Sequence, residues 1–313
     1  MAVPTPVPLI LDCDPGHDDA MAILLAVADP AVDLLAVTTV AGNQTVDKCT
    51  VNARRVLSLA GGSAIPVARG ADRPLVRRLR IADDVHGKTG LDGPLFDDEP
   101  SVPESPYSAH ELLADVLRTT PATIVATGAL TNIARLLADE PALAANITEI
   151  VWMGGSTDRG NIAPLAEANA YVDPEAADLV VRSGVPFTMC GLNVTHQALV
   201  TADVLTRFEQ LGTPLARVCI EWMTFFASTY RELFGFESPP LHDPVAVARV
   251  IDPAIVGCVE ANLVIETQGE WTSGATVVDL DGYTGRPPNA RIAVTLDQAA
   301  FWDRIVAAVS ALS

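Results

Sequence analysis

Short apolar runs alternate with longer apolar or amphipathic segments along most of the chain. Each short run predicts a buried strand, because a strand covered on both faces carries apolar residues at consecutive positions. Such runs lie at residues 7–11, 34–40, 123–126, 147–153 and 185–190. The longer segments predict helices at residues 18–28, 46–59, 110–118, 131–137 and from Asp173 onward. Strands that alternate with helices in this way indicate an α/β fold.

The C-terminal part continues the pattern less regularly. It predicts helices at residues 202–210, 215–234, 245–250 and 298–312, and strands at residues 261–266, 276–279 and 291–295. Between residues 70 and 106 the periodicity is lost and Pro, Gly and charged residues accumulate, which is typical of a functional or mobile loop. The 313 residues can bury the core of one large domain. We expect a single domain over residues 1–313, although the length alone would also permit two.

Four carboxylates follow one another within eight residues, where the first predicted strand turns into the first predicted helix. They belong to Asp12, Asp14, Asp18 and Asp19. Open α/β sheets bind their ligands at the carboxyl ends of strands, so we predict the active site at this turn. So many anions repel one another unless a cation is present, and carboxylates alone favour a hard ion such as Ca²⁺ or Mg²⁺. The plainer alternative is that Asp18 only caps the helix N-terminus.

Further polar side chains lie in loops and irregular segments. Asn43 follows the second predicted strand, and it either binds a ligand there or stabilises a turn. Asn161, Glu167 and Asn169 follow the strand at 147–153. Amides spaced around a carboxylate suit the recognition of hydroxyl groups, but they also serve as hydrogen-bonding groups within loops. His86, in the long irregular segment, either reaches the site or is simply exposed.

The predicted helix at 215–234 places aromatic side chains broadly on one side. They are Trp222, Phe225, Phe226, Tyr230 and Phe234. Such a stripe usually packs in the core, but nucleobases also stack on aromatic rings. A few residues later, Asp243 stands directly before Pro244, which suits a helix N-cap with Pro at the first helical position.

Composition narrows the class of protein. The net charge is −19, from 39 acidic and 20 basic residues, so the surface should repel nucleic acid. The arginines between residues 73 and 80 suit a solvated face or a subunit contact. No apolar run is long enough to span a membrane, and the N-terminus lacks a signal peptide pattern, so we expect a soluble, cytoplasmic protein. Five scattered cysteines without CxxC spacing predict buried free thiols rather than disulfides or a zinc site.

The acidic turn, with the sequence DCDPGHDD over residues 12–19, resembles the N-terminal signature of the nucleoside hydrolases, the inosine-uridine preferring family. Later motifs resemble those of the same family and occur in the same order. They are TVAGNQT at 39–45, TGALTN at 127–132, Met153 with Gly154 and Gly155, EAN at 167–169 and LHDP at 241–244. The combination is highly specific and extends over residues 7–250.

The resemblance implies a single α/β domain, with a Rossmann-like core around a mixed, largely parallel sheet flanked by helices. It implies a calcium ion held by the carboxylates of Asp14, Asp19 and Asp243 and by the backbone carbonyl of Thr127. Asp14 would also act as the general base on the calcium-bound water. The residues implied to hold the ribose are Asp18, Asn43, Met153, Asn161, Glu167 and Asn169.

The resemblance also implies how the base leaves. His242 is similar to a family histidine near the base, proposed as the acid for the leaving group, with Tyr230 or Phe234 beside it. The substrate would be a nucleoside, with either a pyrimidine preference or a broad inosine and uridine specificity. Family members are commonly dimers or tetramers, so we expect a homodimer or a homotetramer.

Two rival interpretations stay open at the level of sequence. A phosphatase of the haloacid dehalogenase type also uses two aspartates at the end of a first strand, with the spacing of Asp12 and Asp14. However, Pro15 and Gly16 stand where that family carries a polar residue. The second rival is a non-catalytic calcium or ribose binding protein on the same fold. Metal-dependent release of a base from a nucleoside would separate the three.

Overall fold

The protein is built around a nine-stranded sheet, as seen in a computed structural model that describes residues 5–96 and 98–313. The strands are β1 (Val7–Cys13), β2 (Val32–Thr39), β3 (Val67–Arg69), β4 (Ala122–Ala126), β5 (Ile147–Met153), β6 (Phe187–Cys190), β7 (Val256–Ile265), β8 (Thr276–Asp279) and β9 (Ala290–Leu296). Their order across the sheet is β3-β2-β1-β4-β5-β6-β9-β7-β8.

Most neighbouring strands are parallel. Only β7 runs antiparallel to its two neighbours, β9 and β8, at one edge of the sheet. The expected α/β fold with a mixed, largely parallel sheet is therefore confirmed. From β1 the chain adds β2 and β3 on one side and then returns to add β4, β5 and β6 on the other. This reversal makes the carboxyl end of β1 a topological switch point, where open α/β sheets form their ligand crevice.

Helices cover both faces of the sheet. They are α1 (His17–Ala28), α2 (Val46–Leu59), α3 (Asp83–His86), α4 (Ala109–Thr119), α5 (Thr131–Asp139), α6 (Ala168–Val172), α7 (Pro174–Val181), α8 (Leu192–Thr195), α9 (Ala202–Leu211), α10 (Pro214–Phe234), α11 (Pro244–Ile251) and α12 (Gln298–Ala311), with a 3₁₀ turn at Pro141–Asn146. Leu9 and Leu11 of β1 pack with α1, α2 and α9 to α12, whereas Ile10 packs with α4, α5 and α7. Successive strand residues face opposite sides, so a strand buried on both faces needs the continuous apolar run seen in the sequence.

The structure differs from the sequence prediction mainly in its short and edge elements. The elements β3, α3, α6 and α8 are each five residues or fewer and were not predicted, because they are too short to show a period. The segment at residues 193–196 is thus largely helical rather than an exit loop. Strand β7 begins at Val256, earlier than the predicted residue 261, because its first half is partly exposed and includes the polar Glu260.

Two predictions about composition can be compared with the structure. All five cysteines are free, and Cys13, Cys49, Cys190 and Cys219 are buried, while Cys258 is half-buried. Across residues 5–96 and 98–313, none of the helices combines the length and apolar character that crossing a membrane requires.

Candidate active site

The loops after β1, β2, β4 and β5 converge on one cavity of about 210 Å³ at the carboxyl edge of the sheet. Twelve residues that the sequence singled out line it. They are Asp18, Asn43, His86, Thr127, Met153, Asn161, Glu167, Asn169, Tyr230, Phe234, His242 and Asp243. The other two predicted site residues, Asp14 and Asp19, are fully buried and bonded to Asn43, which does line the cavity.

Asp14 sits in a cradle of backbone. Its Oδ2 accepts a hydrogen bond from the Asn43 backbone N–H at 2.7 Å, while its Oδ1 has no hydrogen-bond partner among the described residues. Gly42 and Gly128 flank the carboxylate so closely that a Cβ atom at Gly42 would overlap Oδ2, and one at Gly128 would lie 2.8 Å from Oδ1. The two glycines therefore let the loops after β2 and β4 approach this carboxylate.

Asp19 holds the acidic turn together. Its two oxygens accept hydrogen bonds from the backbone N–H groups of Asp14 and Gly16, the Thr127 hydroxyl at 2.7 Å and the Asn43 amide at 3.0 Å. Gly16 occupies the N-cap position of α1, and Asp19 completes the capping contacts. The alternative that Asp18 caps this helix is therefore wrong, because Asp18 lies within the first turn and its Oδ1 has no hydrogen-bond partner among the residues described.

Asp18, Asp19 and Asp243 form a compact carboxylate cluster. One oxygen from each lies within 4.8 Å of the others, and all three side chains are buried. Asp243 does stand at the N-cap position of α11, before Pro244, but its side chain makes no capping hydrogen bond. The predicted capping role of Asp243 is therefore wrong, since its carboxylate belongs to the cluster instead.

Burial and mutual repulsion favour the neutral forms of these carboxyl groups. Burial, followed by the charge of a neighbouring aspartate, raises the pKa of Asp14 and of Asp243 well above the usual range. The same two causes raise the pKa of Asp18 to about 7. Burial also raises the pKa of Asp19, against which the Gly16 N–H and the Thr127 hydroxyl act. A cation among these groups would reverse the effect by stabilising the ionised carboxylates.

The donor set fits a hard divalent cation. It offers oxygen atoms only, mostly from carboxylates, and these suit Ca²⁺ or Mg²⁺ better than the softer transition metals. Two carboxylate oxygens of this site, Asp14 Oδ1 and Asp18 Oδ1, have no hydrogen-bond partner among the described residues, and neither has Oδ2 of Asp12 outside the cavity. The Thr127 carbonyl, also expected as a ligand, accepts a hydrogen bond from the Asn169 amide at 2.8 Å and keeps a second lone pair.

Glu167 and Asn169 are fixed at the start of α6. The Glu167 carboxylate accepts hydrogen bonds from the backbone N–H groups of Gly155, Asn169 and Ala170. The Asn169 amide nitrogen donates to the carbonyls of Thr127 and Met153, which leaves its amide oxygen for other partners. The Asn161 amide oxygen accepts from the Ala168 N–H at 3.0 Å, so its amide nitrogen is the group left to donate. These side chains are therefore preorganised around one wall of the cavity.

Helix α10 supplies an aromatic wall. Tyr230 and Phe234 line the cavity, whereas Trp222 and Phe226 are buried in the core, so one end of the aromatic stripe faces the cavity and the rest packs in the core. The Tyr230 hydroxyl lies 2.8 Å from His242 Nε2. Burial lowers the pKa of His242 to about 3 and raises the pKa of Tyr230 well above its usual value. Both groups are therefore neutral near pH 7.

His86, at the end of α3, lines the cavity and is buried, so it is not an exposed loop residue. Its ring stacks on His17 at 5.4 Å between centroids, and its Nδ1 accepts the His17 backbone N–H at 3.3 Å. Side-chain amides hold residues 87–89, which follow His86. Gln44 donates to the Gly87 carbonyl at 3.2 Å, and Asn52 donates to the Thr89 carbonyl at 2.9 Å. The long irregular segment is therefore anchored over the cavity by specific contacts.

Asp12 lies outside the cavity, although the sequence places it in the acidic turn. Its Oδ1 accepts from the Thr38 hydroxyl at 2.6 Å and from the Asn132 amide at 2.8 Å. Asp12 lies within β1, whereas Asp14 follows the end of that strand, and this depth puts Asp12 below the cavity, between β2 and the start of α5. The expectation that four carboxylates share one site is therefore wrong for Asp12.

The sequence did not predict the part of the cavity wall that comes from residues 80–85, nor three further lining residues at positions 162, 168 and 233. The missed residues are Arg80, Ile81, Ala82, Asp84, Val85, Ile162, Ala168 and Leu233. The segment at residues 80–85 carries no period and no motif, so no sequence signal distinguished its residues, whereas Ala168 lies within the EAN motif and Ile162 follows Asn161. The neighbouring Arg77 is held by Glu175 at 2.8 Å, whereas Arg80 reaches the cavity and is not part of a purely solvated face.

A family model described as inosine-uridine preferring nucleoside hydrolase matches residues 9–303. The chain belongs to this family. It is 49% identical over 309 residues to the pyrimidine-specific ribonucleoside hydrolase RihA of Shewanella woodyi, across 98% of this chain and 99% of that protein. The predicted family and the prediction of a ribonucleoside hydrolase enzyme are confirmed. Family membership also excludes the phosphatase alternative. That alternative needs Asp12 beside Asp14 in the site, whereas Asp12 does not line the cavity.

Solved structures of related hydrolases agree with this assignment. A purine-preferring ribonucleoside hydrolase from Gardnerella vaginalis superposes with a TM-score of 0.90 at 30% identity, over 97% of this chain and 98% of that chain. A plant nucleoside hydrolase also superposes with a TM-score of 0.90, at 32% identity, over 97% of this chain and 99% of that chain. Nearly the whole fold is thus shared with these two hydrolases.

Proposed function

We propose that the chain hydrolyses the N-glycosidic bond of ribonucleosides to free base and ribose. The observation that carries the proposal is that one cavity joins the buried carboxylate cluster to the His242–Tyr230 pair. Cleavage of this bond develops positive charge on the ribose and negative charge on the departing base, much as in other glycosidases. The cavity offers groups suited to both charges.

We propose a pyrimidine nucleoside as the preferred substrate, rather than the broad inosine and uridine specificity. Relatives at 48 to 49% identity from several bacteria are named pyrimidine-specific. The purine-preferring enzyme from Gardnerella vaginalis shares only 30% of its residues with this chain. The higher identity to the pyrimidine-specific relatives supports the same preference here.

The proposed cofactor is calcium, held by Asp14, Asp19, Asp243 and the Thr127 carbonyl. When bound, the ion would lower the pKa of a neighbouring water and hold the ribose hydroxyls. The carboxylate cluster and the unpartnered Asp14 Oδ1 support this assignment among the described residues. Asp14 takes the proton from the attacking water, and its cradle of glycines keeps the carboxylate in position for that transfer.

The remaining wall of the cavity orients the ribose and helps the base to leave. Asp18, Asn43, Met153, Asn161, Glu167 and Asn169 bind the sugar, and their fixed hydrogen bonds convert binding energy into orientation. The Tyr230–His242 pair donates a hydrogen bond to the departing base, and a donor aimed at developing negative charge lowers the barrier. His86 and Phe234 contact the base. The expected homodimer or homotetramer and the cytoplasmic location stay predictions.

Release of free base and of ribose tests the proposal. The purified protein is incubated with uridine, cytidine, inosine or adenosine, once with calcium and once with a chelator. We expect calcium-dependent release, faster from the two pyrimidine nucleosides. The matched control is Asp14→Asn, which keeps the size of the side chain and removes the base. Absence of release from all four substrates, in a sample that binds calcium, would overturn the proposal in favour of a non-catalytic binding protein.

A further inference from the structure

We infer that Thr195 is a positioning residue for departure of the base, because its hydroxyl fixes the tautomer of His242 and thereby aims the Tyr230 hydroxyl hydrogen into the cavity. This inference rests on the proposed function. It concerns a residue that does not line the cavity and that no motif in the sequence marks.

Three side chains from different elements form a linear chain of hydrogen bonds. Thr195 Oγ1, at the end of α8, lies 2.7 Å from His242 Nδ1. His242 Nε2, in turn, lies 2.8 Å from the Tyr230 hydroxyl of α10. Thr195 is fully buried, and His242 and Tyr230 are each no more than 5% exposed. Both ring nitrogens of His242 therefore have a hydroxyl partner, and water has little access to the chain.

The buried end of the chain sets the direction of the hydrogen bonds. Among the described residues, His242 Nδ1 is the one hydrogen-bond partner of the Thr195 hydroxyl. If Nδ1 carried the proton, Thr195 would only accept, and its own buried O–H would lack an acceptor. A buried donor without a partner is disfavoured, so Thr195 donates and Nδ1 accepts.

The direction at Thr195 determines the state of Tyr230. A neutral imidazole whose Nδ1 accepts must carry its hydrogen on Nε2. The Nε2–H then donates to the Tyr230 oxygen, so the Tyr230 hydroxyl hydrogen is free to point elsewhere. Tyr230 lines the cavity, and its hydroxyl is thus a donor toward the departing base. In the opposite direction Tyr230 would donate to His242 and could not help the base.

Two substitutions distinguish the effect of the Thr195 hydroxyl from the effect of the volume of its side chain. Thr195→Val keeps the shape and removes the donor, so the His242 tautomer is no longer fixed, whereas Thr195→Ser keeps the donor. Thr188→Val is a matched control, because Thr188 on β6 is a fully buried, hydrogen-bonded threonine that does not line the cavity.

Kinetics on two leaving groups provide the first readout. Uracil needs a hydrogen-bond donor as it departs from uridine, whereas 4-nitrophenolate leaves a 4-nitrophenyl riboside without one. We expect Thr195→Val to lower kcat for uridine by about tenfold or more, the scale of one lost hydrogen bond. The 4-nitrophenyl riboside should change little, and Thr195→Ser and Thr188→Val should behave as wild type on both. Equal losses on both substrates, or no loss on uridine, would overturn the inference.

Nitrogen-15 spectra of histidine-labelled protein provide a readout that does not depend on turnover. There are five histidines, and the His242 signals are identified by their loss in His242→Gln. We expect Nε2 to be protonated in wild type and in Thr195→Ser, and the Nδ1–H form to appear in Thr195→Val. A wild-type ring protonated on Nδ1 would contradict the inference. If wild type cleaves neither substrate, the proposed function fails, while the spectra still decide the direction of the hydrogen bonds.

Discussion

At the scale of single residues, the proposed chemistry depends on one oxygen atom of Asp14. Asp14 Oδ1 is buried without a hydrogen-bond partner among the residues described, while Oδ2 of the same carboxylate is held by the Asn43 N–H. Leaving a buried carboxylate oxygen unpaired is costly, so such a group is retained where a ligand or a reaction uses it. A general base needs this arrangement, since one oxygen fixes the geometry and the other accepts the proton.

Substitution of Asp14 by Asn should therefore affect turnover more than binding. Positioned acid–base groups contribute about 10² to 10⁴ in rate, so we expect kcat for uridine to fall by at least that range. The KM should change far less, because the ribose contacts of Glu167 and Asn169 remain. Steady-state kinetics in saturating calcium measure both. A loss below about tenfold, or a loss confined to KM, would contradict the role of Asp14.

Glu167 should make the calcium-free protein less stable as the pH rises. Burial raises the pKa of Glu167 from 4.5 to about 7, so the folded state holds a proton that the unfolded state releases. Glu167 alone should then lower the free energy of unfolding by up to about 3 kcal/mol between about pH 4.5 and pH 7, in addition to a fall of the same sign from Asp18. Urea unfolding across this range in a chelator tests it. Glu167→Gln should flatten the slope, and an unchanged slope would contradict the prediction.

The sequence identified site residues that carry motifs and missed those defined by tertiary contact. Asp14, Asp18 and Asp19 stand in a turn whose chemistry is local, so the sequence pattern was sufficient to select them. Asp12 belongs to the same run of letters, yet the depth of β1 places it below the cavity. Thr195 meets His242 across 47 positions of chain, and no local pattern predicts such a contact.

Loops that follow parallel strands shape the site at the scale of elements. The loops after β2 and β4 approach Asp14 through Gly42 and Gly128, where a Cβ atom would collide with the carboxylate. Both loops are anchored by the strands before them, so they cannot easily move away. The position of the carboxylate therefore depends on glycines that belong to other elements.

Gly42→Ala should displace the Asp14 carboxylate without unfolding the protein. The added Cβ overlaps Asp14 Oδ2, so we expect lower kcat and weaker calcium binding, each by at least about tenfold. Gly61→Ala is the control, because its Cβ meets nothing within 4 Å among the described residues, although its positive φ of 69° costs about 1 kcal/mol. Kinetics and calcium titration compare the two. Equal activity in both variants would contradict the role of Gly42 in positioning the Asp14 carboxylate.

Central elements were predictable because burial imposes a pattern on them. Strands β1, β2, β4, β5 and β6 lie inside the sheet, and their continuous apolar runs predicted them. The strand β3 at the edge has three residues, and the helix α3 over the cavity has four, so neither shows a period. Tertiary contacts place them, since β3 pairs with β2 and His86 of α3 contacts His17.

The topology of the whole molecule explains where the site lies. The chain reverses direction across the sheet at β1, with β2 on one side and β4 on the other, so a crevice opens above the end of β1. The carboxylates that collect there repel one another in the absence of a cation. Their repulsion links metal binding to the stability of the entire fold, because a ligand that binds only the folded state stabilises it.

Calcium should therefore raise the thermal stability of the protein. At a concentration of about 100 times its Kd, the ion adds about 2.7 kcal/mol to the free energy of unfolding, which corresponds to several degrees in Tm. Thermal unfolding with calcium and with a chelator measures the shift. Asp243→Asn should abolish most of it, whereas Asp158→Asn, at a mostly exposed residue outside the cluster, should retain it. A wild-type Tm that does not change with calcium would contradict the proposed calcium site.

Uracil release from uridine by metal-free protein during a calcium titration tests calcium-dependent hydrolysis most directly. We expect negligible release in the chelated sample, release that rises and saturates as the calcium site of Asp14, Asp19 and Asp243 fills, and ribose formed in equal amount. Asp14→Asn should still release little uracil at calcium concentrations high enough to fill the site with this altered ligand. Release that is independent of calcium would contradict the calcium-dependent mechanism, and full activity in Asp14→Asn would contradict the role of Asp14 as the general base.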